Sequence, residues 1–388
     1  MNKKIFLSGI VTGVAVLLIV NTLYTTLISK GDIDFATKVN VIKTILEKNY
    51  VNEVNDEKLD ESMYLGLVYG IGDPYTSYMD KSTYKDFSEK SKGVFAGIGV
   101  GITVDTKDNR VVVDLAYEGF PGSKAGLLPG DKIIKVNGED VTGDNLQGVV
   151  NKLKGKEGTS VKLSVLRESE GRMFDVELVR EVIELPTVSH EMMENGVGYL
   201  RITAFDEITL EQYNAALADL KAQGMNGMII DLRNNPGGLL DVVTKIADTI
   251  VPECTTVYTE DKNGNRKDYN STGAGIGIPI VVIVNGSSAS ASEVLAGAIK
   301  DTDSGVLVGE KTYGKGVVQS VFPLTDGSAV KVTIAKYYTP SGTCIDGVGI
   351  EPDYPVGMDE KMSARIQELT LEEDVQLQKA LEVIKGKL

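Results

Sequence analysis

From residue 196 to residue 299 the chain alternates short apolar runs with amphipathic ones, and this alternation limits the fold more than any other feature. Strand-like segments at 196–202, 228–232 and 280–284 are separated by helical patterns at 210–223 and 239–250, with a further helix at 290–299. The stretch Ile280-Val281-Val282-Ile283-Val284 has no polar face at all, as a strand covered on both sides requires. The expectation for residues 169–357 is therefore an α/β domain with a largely buried sheet.

The rest of the chain changes character around that domain. Residues 31–93 read as a small helical segment, with Val39, Ile42, Ile45, Leu46, Leu65 and Val68 at mixed three and four spacings. It ends in Gly72-Asp73-Pro74-Tyr75-Thr76-Ser77-Tyr78, a turn rather than a helix interior. Residues 94–168 become short β-like runs broken by Gly and Asp turns, interrupted by one helix at 145–153. Residues 358–388 read as two charged amphipathic helices, the second opened by Thr370-Leu371-Glu372-Glu373 in the spacing of a capping box.

The first thirty residues differ from everything that follows. Residues 5–28 carry no charge and follow Lys3 and Lys4. As a helix this run reaches roughly 36 Å, more than the roughly 30 Å hydrocarbon core of a bilayer. The lysines favour an inside amino terminus. The reading is one uncleaved transmembrane anchor over 1–30, contacting the cytoplasmic membrane, with the remainder outside the cytoplasm; a cleaved signal peptide gives the same location.

A net charge of −15 excludes nucleic acid as a partner class, because displacing counterions from phosphate needs clustered cations. Cys254 and Cys344 are too few for a zinc cluster or a disulfide framework, although they can pair if the fold brings them together.

Residues 94–168 resemble a PDZ domain of the circularly permuted kind found in bacterial proteases. The most specific stretch runs Ala125-Gly126-Leu127-Leu128-Pro129-Gly130-Asp131-Lys132-Ile133-Ile134-Lys135-Val136-Asn137-Gly138. Gly97, Ile98, Gly99 and Val100 fall where such a domain holds a peptide carboxylate, and glycine there permits a nest of backbone N–H groups.

Ser290 lies between an apolar strand and a helix whose buried face includes Val294, Leu295 and Ala298. A helix amino terminus suits both a developing oxyanion and an ordinary N-cap, so position alone leaves both readings open. The single histidine, His190, lies in a polar stretch with nothing to mark it as part of a triad. In a serine enzyme of this composition lysine is favoured over His190 as the base, and Lys315, between Gly314 and Gly316, is a candidate if burial suppresses its charge.

The blocks Ser288-Ala289-Ser290-Ala291-Ser292-Glu293, Gly314-Lys315-Gly316-Val317-Val318-Gln319 and Asp231-Leu232-Arg233-Asn234-Asn235-Pro236-Gly237-Gly238 together resemble the carboxy-terminal processing peptidases, or tail-specific proteases. The resemblance extends over nearly the whole chain. It implies a multi-domain α+β protein whose crotonase-like core carries the PDZ insert. It assigns Ser290 as nucleophile, Lys315 as base and Gln319 as the residue orienting that lysine. Gly237, with Gly238 second, and Ala291 become the oxyanion donors.

The resemblance further implies an endopeptidase that captures substrate tails with free C-termini and uses neither metal nor cofactor. It leaves the terminal helices as a homodimerisation arm or a solvated cap. The competing function class is a membrane-tethered PDZ scaffold on an inactive protease fold; an acyl-CoA enzyme of the same core fold is disfavoured by the anchor and the PDZ.

Overall fold

The computed structural model describes residues 34–273 and 275–388, in two compact units that divide between residues 72 and 73. The expected anchor over 1–30 lies outside the described residues. No described helix is long and apolar enough to cross a membrane.

Within the first unit, helix Phe35–Asn49 is capped by Asp34 and helix Asp56–Tyr69 by Asn55, whose side chains accept from Thr37 N at 3.0 Å and Lys58 N at 2.9 Å. Lys43 joins the two through Asp60 at 3.1 Å and Asp56 at 3.3 Å. Neither helix has a buried residue, so the apolar spacing that marked them as helices encloses no core of its own.

The second unit is built on a six-stranded sheet in the order Val188–Met192, Val197–Ile202, Gly227–Asp231, Ile280–Val284, Val306–Gly309 and Tyr354–Pro355, parallel except at its first edge. Both faces of its central strand are used. Ile280, Val282 and Val284 join the core beneath helices Thr209–Ala222, Leu240–Asp248 and Ala291–Asp301. Val281 and Ile283 face Ala380, Leu381 and Ile384 of helix Val375–Lys385. This C-terminal helix is thus part of the core, neither a free arm nor a solvated cap.

Its beginning also differs from expectation. Thr370 and Glu373 bond to each other in a separate turn, and the cap is Asp374, whose Oδ1 accepts from Leu377 N at 2.9 Å. Asp374 prevails because it also pairs with the fully buried Arg233 at 2.8 Å, which Asp231 holds from the other side at 2.6 Å. The preceding helix is a single short piece, Glu360–Ala364.

The PDZ sheet comprises Val100–Asp105, Arg110–Ala116, Lys132–Val136, Ser160–Arg167 and Arg172–Val179 around its own core of Val111, Val113, Ile133, Val161, Leu163 and Val165. It runs past residue 168, because Gly171 at φ +59° turns the chain back into a full-length hairpin. Strands Val94–Gly97 and Glu181–Glu184 pair where the chain enters and leaves this domain, forming a two-stranded stalk. A second sheet contains Ser77–Met79, Ala329–Tyr338, Cys254–Asp261 and Arg266–Ser271, with Val317–Pro323 paired to Ala329–Tyr338. Cys254 and Cys344 are both free thiols.

Candidate active site

Ser290 follows strand Ile280–Val284 through a turn fixed by side chains. Asn285 Oδ1 accepts from Asn234 N at 3.0 Å, and Ser288 Oγ donates to the Leu232 carbonyl at 2.8 Å. The chain then meets helix Ala291–Asp301 with Ser290 at φ +55° and ψ −113°, a conformation that non-glycine residues rarely adopt. Every residue from Ala291 to Ile299 is buried, so the serine rests on a rigid base.

Gly237 passes this turn so closely that a Cβ on it would lie 2.7 Å from Ala289 O and 2.8 Å from Ser290 Cβ. Only glycine fits. Its N–H, however, donates to Asn235 Oδ1 at 2.8 Å, and it is Gly238, with Ala291, that lines the cavity beside Ser290. The Gly237 amide assigned to the oxyanion from resemblance is therefore engaged inside the loop, while Gly238 lines the cavity.

Glu293 joins the two halves of the site. It is fully buried, and its Oε2 accepts from Ser290 N at 2.8 Å and Lys315 N at 2.9 Å. Its Oε1 accepts from Thr312 Oγ1 at 2.6 Å and Gly314 N at 2.7 Å. Thr312 also exchanges bonds with Ile350, the Ile350 N–H reaching Thr312 Oγ1 at 2.8 Å, so the Gly349-Ile350-Glu351 stretch braces the lysine loop. Gly316 is required where a Cβ would approach Asp346 N to 2.3 Å.

The Lys315 amine is half-buried in a cavity of about 420 Å³ that also contains Ser290, Gln319 and Lys331. Burial draws its pKa below the ordinary lysine value and Lys331 acts in the same direction, while Asp73 and Glu293 oppose them. Its nearest ring contact is Tyr75, with Nζ 4.8 Å from the ring centroid. Gln319 shares the cavity, but its amide donates to the Val317 carbonyl at 3.3 Å rather than to the lysine. A bulge between Val318 and Gln319 displaces its side chain from strict alternation. Tyr337 donates to the Lys315 carbonyl and lines the same cavity as Ser290.

Helix Lys81–Lys92 forms the opposite wall of the cavity with Tyr84 and Phe87, and touches the PDZ domain through Lys154 to Glu89 at 3.2 Å. Sequence reasoning gave this helix no role, and its polar composition offered no signal. In the PDZ loop, Gly97 ends the entry strand, Ile98 is buried, and the carbonyls of Ile98 and Gly99 accept from Gly122 N at 2.7 Å and Tyr117 N at 3.0 Å. A trans peptide places N–H opposite C=O, so the Gly99 and Val100 amides face away from those partners. Gly99, at φ +69°, has no room for a Cβ, which would meet Phe120 at 2.4 Å. His190 is remote in role: its Nε2 pairs with Asp219 at 2.8 Å on the sheet edge.

A family profile described as peptidase family S41 matches residues 196–356, one for a PDZ domain matches 112–167, and one described as the activating protease CtpB N-terminal domain matches 25–83. The chain is 35% identical over 316 residues to the carboxy-terminal-processing protease of Bartonella bacilliformis, covering 79% of this chain and 71% of that protein. It is 35% identical over 326 residues to carboxy-terminal processing protease CtpA of Bacillus subtilis, covering 84% and 69%. A solved Bacteroides fragilis structure named for the S41 proteases shares the fold at TM-score 0.50 and 18% identity, over 87% of this chain and 99% of that one.

Proposed function

Because the chain belongs to the carboxy-terminal processing proteases, the PDZ-containing serine peptidases of family S41, we propose that it is an endopeptidase using a Ser290–Lys315 dyad on proteins whose free C-terminal tails its PDZ domain captures. The observation that carries this reading is the Glu293 carboxylate, which binds the backbone of both residues at once.

Neutral Lys315 removes the proton from Ser290 Oγ as the oxygen attacks the peptide carbonyl carbon. The oxyanion is stabilised by the Ala291 amide at the helix amino terminus and, given the engagement of Gly237, by the Gly238 amide. The lysine ammonium protonates the leaving amine as the C–N bond breaks. A water molecule, deprotonated by the same amine, then attacks the acyl carbon, the bond to Ser290 Oγ breaks, and the lysine ammonium returns its proton to Oγ. Gln319, which lines the same cavity, orients this lysine by hydrogen bonding.

The tail carboxylate sits on the Gly99 and Val100 amides, and helix Lys81–Lys92 links the PDZ domain to the cavity, since it meets that domain at Lys154 and lines the cavity with Tyr84 and Phe87. The core belongs to the crotonase-like class, a reading its parallel sheet and flanking helices support. The uncharged run at 5–28 anchors the enzyme in the cytoplasmic membrane with its catalytic unit outside. Resistance of that unit to protease added to intact spheroplasts would overturn this placement.

Ser290→Ala and Lys315→Ala each abolish cleavage of an unstructured peptide with a free C-terminus while thermal melting stays within a few degrees of the parent. Turnover by either purified variant, or labelling of Ser290→Ala by a fluorophosphonate at the parent's rate, rules the dyad out.

A further inference from the structure

The turn 72–78 is not used by the reaction as derived, yet the fold delivers it to the base. Asp73 holds the turn by accepting from Tyr75 N at 3.1 Å and Thr76 Oγ1 at 2.6 Å. Thr76 Oγ1 in turn accepts from Thr333 N at 3.0 Å, and Ser77–Met79 pairs with Ala329–Tyr338, the strand that carries Lys331 and Tyr337. Tyr75 is thereby fixed on both sides of its own position, and its ring faces the Lys315 amine at 4.8 Å. Among the described residues, no hydrogen bond or ion pair reaches that amine.

An aromatic face attracts an ammonium and has no comparable attraction for a neutral amine. General-base catalysis needs the neutral amine. The lysine side chain is a flexible four-carbon stem, so the contact at Tyr75 and the contact at Ser290 are alternative positions of one group. We propose that Tyr75 is a positioning residue that parks Lys315 in its charged form away from Ser290, and so sets the pH at which the base becomes available. The inference rests on Lys315 being the base. The other charged groups facing the amine are Lys331 from the paired strand, Asp73 from the turn and Glu293 from the nucleophile helix, and each is retained in the test.

The test is the pH dependence of kcat/KM for the purified full-length chain on an unstructured peptide. Tyr75→Leu moves the acid limb to lower pH by about half to one unit, because removing the ring face removes a preference for the ammonium. Tyr75→Phe, which keeps the face, stays within about 0.2 unit of the parent. Should Tyr75→Leu fold poorly, replacement of Tyr75 by phenylalanines bearing one, two or three ring fluorines keeps the shape while weakening the face. The limb then descends with fluorine number.

An acid limb unmoved across that series overturns the proposal, as does Tyr75→Phe moving it as far as Tyr75→Leu. The dyad is checked separately. If Lys315→Ala is inactive while the Tyr75 series leaves the limb in place, only the parking role fails; if Lys315→Ala turns over, the base assignment fails and the parking role with it.

Discussion

The two sides of the catalytic cavity are built to different tolerances. On the serine side, a buried helix, a left-handed nucleophile backbone and a glycine that admits no Cβ leave no freedom. On the lysine side, the backbone of 312–315 is tied to Glu293, but the amine at the end of the side chain touches an aromatic ring and no fixed partner. The difference teaches that the site fixes where Lys315 is attached and leaves adjustable where its amine points. A movable amine changes position without disturbing the fold.

The strongest way to break this contrast is to loosen the tie between the two sides. Glu293→Gln keeps the volume but replaces one carboxylate oxygen by an NH₂ group, which cannot accept either of the two bonds received by the oxygen it replaces. The expected result is a fall in kcat of about 10–100-fold with KM changed far less, together with a lower melting temperature. A lower melting temperature with kcat unchanged would show that the carboxylate only glues the fold and does not align the dyad.

That tie also marks the limit of what the sequence discloses. The buried sheet was readable because Ile280–Val284 has no polar face, and each of its residues does join one of two cores. The turn at 72–78 was readable from its Gly and Pro. The cap of the last helix was not, because Thr370 and Glu373 satisfy the local pattern while Asp374 gains a partner 141 residues away in Arg233. The same reason hides the Tyr75 contact and the opposite wall at Tyr84 and Phe87: these pairings depend on chain closure that no local spacing encodes. Ser290 and Lys315 were selected by resemblance; helix-end chemistry left the serine equally readable as a cap.

A smaller change sharpens the comparison from the lysine side alone. Lys331 acts with burial in drawing Lys315 below its ordinary pKa. Lys331→Met removes that repulsion, so the Lys315 pKa rises and the acid limb of kcat/KM moves to higher pH, on the order of half a unit. Its sign is opposite to that expected for Tyr75→Leu. Limbs moving in the same direction in both variants would mean that at least one of the two groups does not act through the charge of the amine.

The smallest effect lies on the rigid wall. Asp206 follows Phe205, whose backbone bridges Gly238, and it lines the cavity half-buried. Burial pushes its carboxyl up to about 6, against an opposing pull from Lys90. A carboxyl with a folded pKa above its unfolded value favours the fold when protonated. Its contribution is complete below the unfolded value of 3.8 and is lost as pH rises through about 6. Asp206→Asn removes the ionisation, so the variant gains on the parent between pH 5 and pH 8, by on the order of 1 kcal/mol once partial exposure is discounted. In melting experiments the difference between variant and parent becomes more positive by a few degrees from pH 5 to pH 8. Because the charges acting on the Lys315 amine are Lys331, Asp73 and Glu293, the acid limb set by Lys315 stays where it was. A shift of that limb in Asp206→Asn would show that the two walls are electrostatically coupled, and that the lysine side owes part of its adjustability to a charge on the serine side.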